Sequence, residues 1–328
     1  MYLPLPISIL LTRVVILIPL FGLSLNANAH VRWFAEEQAS TIAFTWHPIY
    51  FLILIGGTLY CLFCYGFNRT EAAIAKRYPK VFNLWPAQLQ WRLIAVMLGV
   101  ALLINCLTNV FLAPNLAAQG LNSTANILQA IVAVSLITGL TPVVGGACLL
   151  AFMAYVTAIT PYQQTIDYLP EFIALALALM LYKQTQLALA ILRIGLGLQL
   201  IILAIHNKLL NPALGLAFLE QYPWNFMKML GVPEFGDLEF VFAGGIAELC
   251  FGLMILLNWS TRFATLSITF FFTATALILG LHELVGHIPI MAVAIALISL
   301  GGGKLELPTR LRDTAFNISI RPKRIHNN

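Results

Sequence analysis

Runs of about 20 apolar residues recur along the whole chain, and each is long enough to cross the hydrocarbon core of a bilayer as a helix. Of the 328 residues, 60% are hydrophobic and only 9% are charged, and the mean hydropathy is +0.88. A soluble domain carries roughly 25% charged residues. The sequence therefore predicts an all-α, polytopic membrane protein whose main partner is the lipid bilayer.

The first 29 residues have the pattern of a secretory signal peptide. A short segment ends at Arg13, an apolar stretch covers residues 14–25, and Ala27-Asn28-Ala29 has the small-x-small pattern of a cleavage site. We expect cleavage after Ala29, so that His30 becomes the N-terminus of the mature protein. The alternative is an uncleaved first span.

Nine membrane spans are predicted after this signal. They lie near residues 47–67, 91–112, 125–140, 143–159, 171–182, 187–205, 239–257, 262–281 and 288–300. The first five belong to an N-terminal module (residues 30–186) and the last four to a second module (residues 187–301). A basic tail follows at residues 302–328.

The distribution of Lys and Arg predicts the orientation of these spans. On the predicted inner side lie 14 basic residues: Arg69, Lys76, Arg77, Lys80, Arg92, Lys183, Arg193, Arg262, Lys304, Arg310, Arg312, Arg321, Lys323 and Arg324. On the outer side lie 3: Arg32, Lys208 and Lys228. Because basic loops stay in the cytoplasm, we expect a bacterial inner-membrane protein with a periplasmic N-terminus and a cytoplasmic C-terminus. The net charge of +5 then reflects orientation and does not predict a nucleic-acid partner.

The same topology places five histidines on the outer side: His30, His47, His206, His282 and His287. Two of them, with Glu283, form the polar sequence His-Glu-Leu-Val-Gly-His between two apolar runs. We predict that these residues bind a transition metal or haem. Imidazole suits copper, iron and zinc alike, so the choice among them stays open. The alternative is that they are polar residues at the membrane surface.

The spacing of His282 and His287 differs from that of the zinc proteases, which place two histidines four residues apart on one helix face. Five residues on a helix leave the two rings about 140° apart. We therefore expect a turn at Gly286, before Pro289, that brings both rings together. His30 adds a second possibility, since an N-terminal histidine offers its amine and its ring to copper or nickel, with His47 or His282 completing the site.

Two ionisable residues lie inside predicted spans, where charged groups are functional or paired. Counting 1.5 Å per residue places Glu248 and Arg193 at depths that their side chains can bridge. One interpretation is a buried ion pair. The other is that Glu248 belongs to a proton relay or to a quinone site, with Arg193 nearby as a second cofactor-binding residue.

Residues 192–209 and 241–273 carry a motif of charged residues and glycines. Its members are Arg193, Gly197, Lys208, Gly245, Glu248, Gly252 and Arg262. This pattern resembles the DoxX family of small membrane proteins, over about residues 187–301. The resemblance implies a four-helix bundle. It also implies a link to quinone, since some members of the family are membrane subunits of thiosulfate:quinone oxidoreductase.

Three functional hypotheses follow from the sequence. The first is a membrane oxidoreductase component that passes electrons between a periplasm-facing metal or cofactor and quinone, with a periplasmic redox or metal-carrier protein as its partner. The second is a protein for transport or acquisition of copper, iron or zinc. The third is an assembly scaffold without a site of its own.

Overall fold

The computed structural model of the protein describes residues 47–82, 85–113, 116, 123–139, 141–279 and 281–305. Within these ranges, the side chains of residues 123, 163–164, 277–279 and 281–284 are not described. The predicted signal peptide, His30 and the tail after residue 305 lie outside the described residues, as do the side chains of His282 and Glu283. The regular secondary structure of the described part is entirely helical.

Thirteen α-helices and one π-helical segment make up the described fold. They are α1 (Pro48–Arg77), α2 (Pro79–Phe82), α3 (Ala87–Leu107), α4 (Ser123–Thr138), α5 (Pro142–Ile159), α6 (Tyr162–Thr165), α7 (Leu169–Met180), α8 (Thr185–Ala204), the π segment (Ile205–Leu209), α9 (Pro212–Gln221), α10 (Phe226–Met229), α11 (Asp237–Leu256), α12 (Thr261–Leu279) and α13 (Leu281–Leu300).

Five stretches of the described chain are helical, long and apolar enough to cross a membrane. They are Pro48–Arg77, Pro79–Leu107, Pro142–Ile159, Thr185–Leu209 and Asp237–Leu256. Three shorter apolar helices, Thr124–Thr138, Leu169–Met180 and Val285–Leu300, lie among them. The expected all-α fold is therefore confirmed, with five stretches that have the length and composition of membrane spans, while the count of nine spans stays a prediction.

The helices predicted to form the second module pack in a closed ring. Helix α8 contacts α11 and α13, α11 contacts α12, and α12 contacts α13. The closest approach is between α8 and α11 at Gly197 and Gly252. A Cβ on Gly252 would lie 2.8 Å from the carbonyl oxygen of Gly197, so only glycine allows these two backbones to meet.

The helices of the first module pack around this ring. Helix α1 contacts α11, α3 contacts α13, and α7 contacts α8. One continuous cluster of buried apolar side chains includes Trp91 of α3, Phe172 of α7, Leu196 of α8 and Leu297 of α13. The hydrophobic core thus runs through both predicted modules.

Helix α1 continues past the predicted end of the first span to Arg77. The connection predicted as a cytoplasmic loop therefore begins as a helix. Its sequence is rich in good helix formers such as Ala, Glu, Lys and Arg. The helix also docks, because Asn68 accepts a hydrogen bond of 2.9 Å from the backbone N–H of Ser260, and Glu71 accepts one of 2.9 Å from that of Phe263.

The turn expected at Gly286 does not form. The backbone is helical from Leu281 to Leu300 and passes through Gly286 and Pro289 without a break. Packing of α13 against α3, α8 and α12 outweighs the loss of one backbone hydrogen bond at the proline. His282 and His287 consequently lie five residues apart on a continuous helix, about 140° apart around its axis.

One end of the bundle is marked by arginines that bind the carboxyl ends of neighbouring helices, and we call it the arginine end. Arg92 donates to the carbonyl of Ile137 at the end of α4, and Arg262 donates to that of Ile298 at 3.1 Å, near the end of α13. Glycines with positive φ, Gly139 (66°) and Gly301 (86°), follow these helices. A side chain on either glycine would collide with the arginine, so the glycine makes room for the cation.

Candidate ligand cavity and buried polar network

The opposite end of the bundle, which we call the cavity end, contains a cavity of about 380 Å³. The π segment, α9, α10, α11, α12 and α13 all contribute to its wall. Most of the wall is apolar, and its aromatic members are Phe218, Trp224, Phe226, Phe235, Phe240, Phe251, Phe271 and Phe272. Apolar clefts of this size with a few polar groups are typical of small-molecule sites.

Lys208 and Glu248 form an ion pair on one wall of this cavity. Glu248 lies on α11 and is buried, with 7% of its surface exposed. Lys208 reaches it from the π segment, and a Cβ on Gly245 would lie 3.1 Å from the Cβ of Lys208. The glycine therefore lets the lysine lie flat against α11. The motif residues Lys208, Gly245 and Glu248 work together as one contact between two helices.

His287 brings a third polar side chain to the cavity wall, from α13. Its exposed fraction is 2%, and its ring stacks on Phe272 with the ring centroids 4.5 Å apart. Stacking on a neighbouring aromatic ring fixes the plane of the imidazole. The cavity thus combines an ammonium group, a carboxylate and an imidazole with an extended aromatic surface.

The segment between α9 and α11, residues 222–236, contributes to the cavity wall, and hydrogen bonds of Asn225 fix its position. The side-chain amide of this residue donates to the carbonyls of Phe235 and Gly236, at 2.9 and 3.1 Å, and to Asp237 at 2.9 Å. Lys228 adds an ion pair of 2.8 Å with Asp237. These contacts fix the position of Trp224 and Phe226, the neighbours of Asn225, in the cavity wall.

A second polar cluster lies beside the π segment, around Asp167. This carboxylate is buried, with 1% exposed, and its oxygens lie 3.0 Å from the Nδ1 atom of His206 and 3.1 Å from the amide nitrogen of Asn207. Gln199 of α8 donates to the backbone carbonyl of Asp167. Three consecutive residues of the π segment, 206–208, thus hold two acidic groups: Asp167 in the turn before α7, and Glu248 on α11. Segments of this kind often occur at functional sites.

The predicted pair of Arg193 and Glu248 does not form, because each residue has another partner. Arg193 donates to the carbonyls of Gly302 at 2.9 Å, Ile255 at 3.3 Å and Leu256, whereas Glu248 binds Lys208. The unpaired carbonyls at the end of a helix attract a cation, and Arg193 lies next to those of α11. Arg193 therefore belongs to the arginine end and lies outside the cavity lining.

The described histidines do not converge on one point. His47 is exposed at the start of α1, where its Nδ1 atom accepts from the N–H of Ile49 at 3.4 Å. His206 binds Asp167, and His287 lines the cavity. Among the described residues, no three His, Cys, Asp or Glu side chains are grouped to hold a metal ion. A site that includes His30, His282 or Glu283 lies beyond the described side chains and stays a prediction.

Sequence reasoning missed the roles of three buried residues near this end. Asp167 lies between the spans predicted near residues 143–159 and 171–182, and Glu171 lies at the start of the second of them, yet the two residues are only 1% and 4% exposed. Gln199 was counted as one more residue of an apolar span, yet it bridges α8 to Asp167. A glutamine in the middle of the apolar stretch LGLQLII was the available signal, because a polar group in such a stretch requires a partner.

No protein-family model, curated protein or solved structure matches the chain. The resemblance to the DoxX family rests on its motif residues alone. Any functional conclusion must therefore come from the cavity and from the polar residues around it.

Proposed function

We propose that the protein is a component of a membrane oxidoreductase that binds a lipid-soluble quinone in the cavity between the π segment and helices α9–α13. The observation that carries this proposal is the composition of the cavity wall: aromatic side chains surround three polar groups, Lys208, Glu248 and His287. A quinone has a flat ring, a long apolar tail and two carbonyl acceptors. Aromatic walls suit the ring and the tail, and Lys208 supplies a donor for a carbonyl oxygen.

The chain's own residues would define the orientation of the bound ring. Lys208 donates hydrogen bonds only, whereas Glu248 accepts them and His287 does either, depending on its tautomer. Glu248 holds the ammonium group of Lys208 in place in an apolar wall. His287, fixed by stacking on Phe272, faces the same cavity. When bound, the quinone would supply the redox chemistry.

We place the cavity at the periplasmic face of the bacterial inner membrane. The basic residues of the chain support this orientation, since Arg92, Arg193 and Arg262 all lie at the arginine end, which would then face the cytoplasm. The mature N-terminus would be periplasmic and the C-terminus cytoplasmic. A periplasmic redox protein is the expected partner, and a metal centre that includes His30 and His282 would lie at the same face.

Filling the cavity tests the proposal. Gly244 lines the cavity, and a Cβ there would meet only the side chain of Lys208, at 4.0 Å. Gly244→Leu therefore places a side chain in the space proposed for the quinone without displacing the backbone. Gly56→Leu is the matched control, because a Cβ at Gly56 has no atom within 4 Å on the exposed face of α1.

The measurement has two parts: the quinone extracted from purified protein, and the binding of a short-tailed benzoquinone followed by quenching of tryptophan fluorescence. We expect Gly244→Leu to lose both the extracted quinone and the quenching, while Gly56→Leu keeps them. If the Gly244→Leu variant binds benzoquinone as tightly as the wild type, the cavity is not the quinone site.

A further inference from the structure

Two buried side-chain oxygen atoms, one on α7 and one on α8, have no hydrogen-bond partner among the described residues: Oε1 of Glu171 and Oε1 of Gln199. Both residues are almost fully buried, at 4% and 0% exposed. An unsatisfied buried polar atom costs about 1–3 kcal/mol and is rare in folded proteins. An ionised carboxylate oxygen and an amide oxygen are both acceptors, so each of the two atoms lacks a donor.

The residues that carry these two atoms lie on neighbouring helices. Helices α7 and α8 pack closely, because Gly195 leaves no space for a side chain against the carbonyl of Pro170. One turn further along α8, Gln199 reaches the backbone carbonyl of Asp167, which precedes Glu171 by four residues. The unpaired end of Gln199 therefore points into the region where α7 begins.

The charged and titratable groups on the elements around Glu171 are few. Helix α5 carries Cys148 and Tyr155, α8 carries Arg193, and the start of α7 is flanked by Tyr168 and by Asp167 with His206. Arg193 is bound to carbonyls at the arginine end, and His206 is bound to Asp167. Among the described residues, no cation forms an ion pair with Glu171. An ionised carboxylate in such a place is strongly disfavoured, and a buried carboxyl group of this kind becomes neutral instead.

We propose that Glu171 is a buried proton-binding site, whose carboxyl group carries a proton at neutral pH and exchanges it with water through Asp167 and His206. The proton forms an O–H bond on a Glu171 oxygen, which makes the carboxyl group a hydrogen-bond donor. It arrives from water by way of the His206 imidazole and the Asp167 carboxylate, and no electron moves. His206 is suited to the entry position, because a third of its side chain is exposed (33%).

This site is separate from the cavity and does not depend on quinone binding. It lies on the other side of the π segment, whose Lys208 faces the cavity while His206 and Asn207 face Asp167. Because Asp167 binds the π segment, gain or loss of the proton would change the charge next to that segment.

Infrared spectroscopy of the purified protein at neutral pH tests the protonated state directly, since a protonated carboxyl group has a carbonyl stretching band that a carboxylate lacks. We expect one such band to disappear in Glu171→Gln and to persist in the control Glu220→Gln, which alters an exposed carboxyl group on α9. In the wild type, isotope labelling of glutamate carboxyl carbons should shift the band, which needs no variant to fold. A spectrum without a labelled glutamate band, or a band that survives Glu171→Gln, overturns the proposal.

Transfer into D₂O tests the route. The band shifts when the proton is replaced by deuterium, and we expect this exchange to be several-fold slower in His206→Gln than in the wild type. His47→Gln, at an exposed histidine outside the network, should exchange at the wild-type rate. An unchanged rate in His206→Gln overturns the route through Asp167.

Discussion

At the arginine end, Arg193 and Arg262 bind backbone carbonyls, whereas at the cavity end the carboxylates of Asp167 and Glu248 bind other side chains. Arg193 and Arg262 close the carboxyl ends of α11 and α13. Lys208 and Glu248 bind each other, as do His206 and Asp167. The last carbonyls of a helix lack partners within the helix, whatever its side chains are. An arginine that binds them therefore serves the fold itself. A pair of side chains in an apolar wall can often be replaced together without loss of stability, so the pair is weak evidence of a stabilising role.

The contrast between the two ends is greatest at Arg193. Replacing it with Gln removes a cation that donates to three carbonyls, and leaves those carbonyls buried without a charged donor. Glutamine can keep one of these three bonds. Because hydrogen bonds to charged groups contribute about 1.5–3 kcal/mol each, losing the other two should lower the free energy of unfolding by roughly 4 kcal/mol. Equilibrium unfolding in mixed detergent micelles measures it.

Lys183→Gln is the control for Arg193→Gln, because Lys183 is an exposed cation at the same end of the bundle. It should change the free energy of unfolding by less than about 0.5 kcal/mol. Equal losses in the two variants would mean that the carbonyl contacts of Arg193 add nothing to the fold.

The next largest effect is expected at the backbone contact between α8 and α11. In Gly252→Ala, the new Cβ meets the carbonyl oxygen of Gly197 at 2.8 Å and the backbone nitrogen of Ile201 at 3.0 Å. The helices must move apart, and overpacking of this kind costs about 1–3 kcal/mol. In the control Gly66→Ala the new methyl group meets nothing within 4 Å, and the higher helix propensity of alanine should leave stability equal or slightly raised.

A smaller effect is expected at Glu71, where α1 binds the first turn of α12. The carboxylate accepts from the backbone N–H groups of Arg262 at 3.2 Å and Phe263 at 2.9 Å, as a capping side chain does. Loss of a cap costs about 0.5–2 kcal/mol, so Glu71→Ala should destabilise the protein by about 1 kcal/mol. An exposed neighbour, Lys76→Ala, should leave the unfolding midpoint unchanged. Destabilisation by both to the same extent would contradict the docking of α1 on α12.

Much of this architecture was readable in the sequence, because membrane spans are set by hydrophobicity and length. The helices containing Arg193 and Glu248 lie close to the predicted limits. Depth alone could not identify the partner of Glu248, since Arg193 and Lys208 both have the reach and the charge. The choice depends on the π segment, which changes the direction in which residues 206–208 face. An extra residue in one helical turn has no recognisable pattern in a single sequence.

Tertiary packing also explains the error at residues 286–289. His287 lies on a continuous helix, and its ring is buried against Phe272. Glycine and proline favoured a turn at residues 286–289, yet packing on three neighbouring helices keeps α13 continuous. Local preference is weak where a long apolar helix gains its stability from tertiary contacts.

The smallest change in stability is expected for the double variant Lys208→Met, Glu248→Leu. This variant also gives the sharpest difference between the two ends. Removing one partner alone leaves an uncompensated charge in an apolar wall. Because Lys208 keeps 24% of its side chain exposed, we expect a cost of about 2 kcal/mol for Glu248→Leu, below the usual range for a fully buried pair.

The double variant removes both charges and should recover nearly all of this loss. Its benzoquinone binding should nevertheless be lost, since no donor faces the ring from that wall. If the double variant is as stable as the wild type but benzoquinone no longer quenches its fluorescence, the pair serves binding and is not needed for folding. No substitution of Arg193 can separate the two roles in this way. A double variant less stable than Glu248→Leu would mean that the pair holds the π segment against α11, and that the two ends of the bundle are built alike.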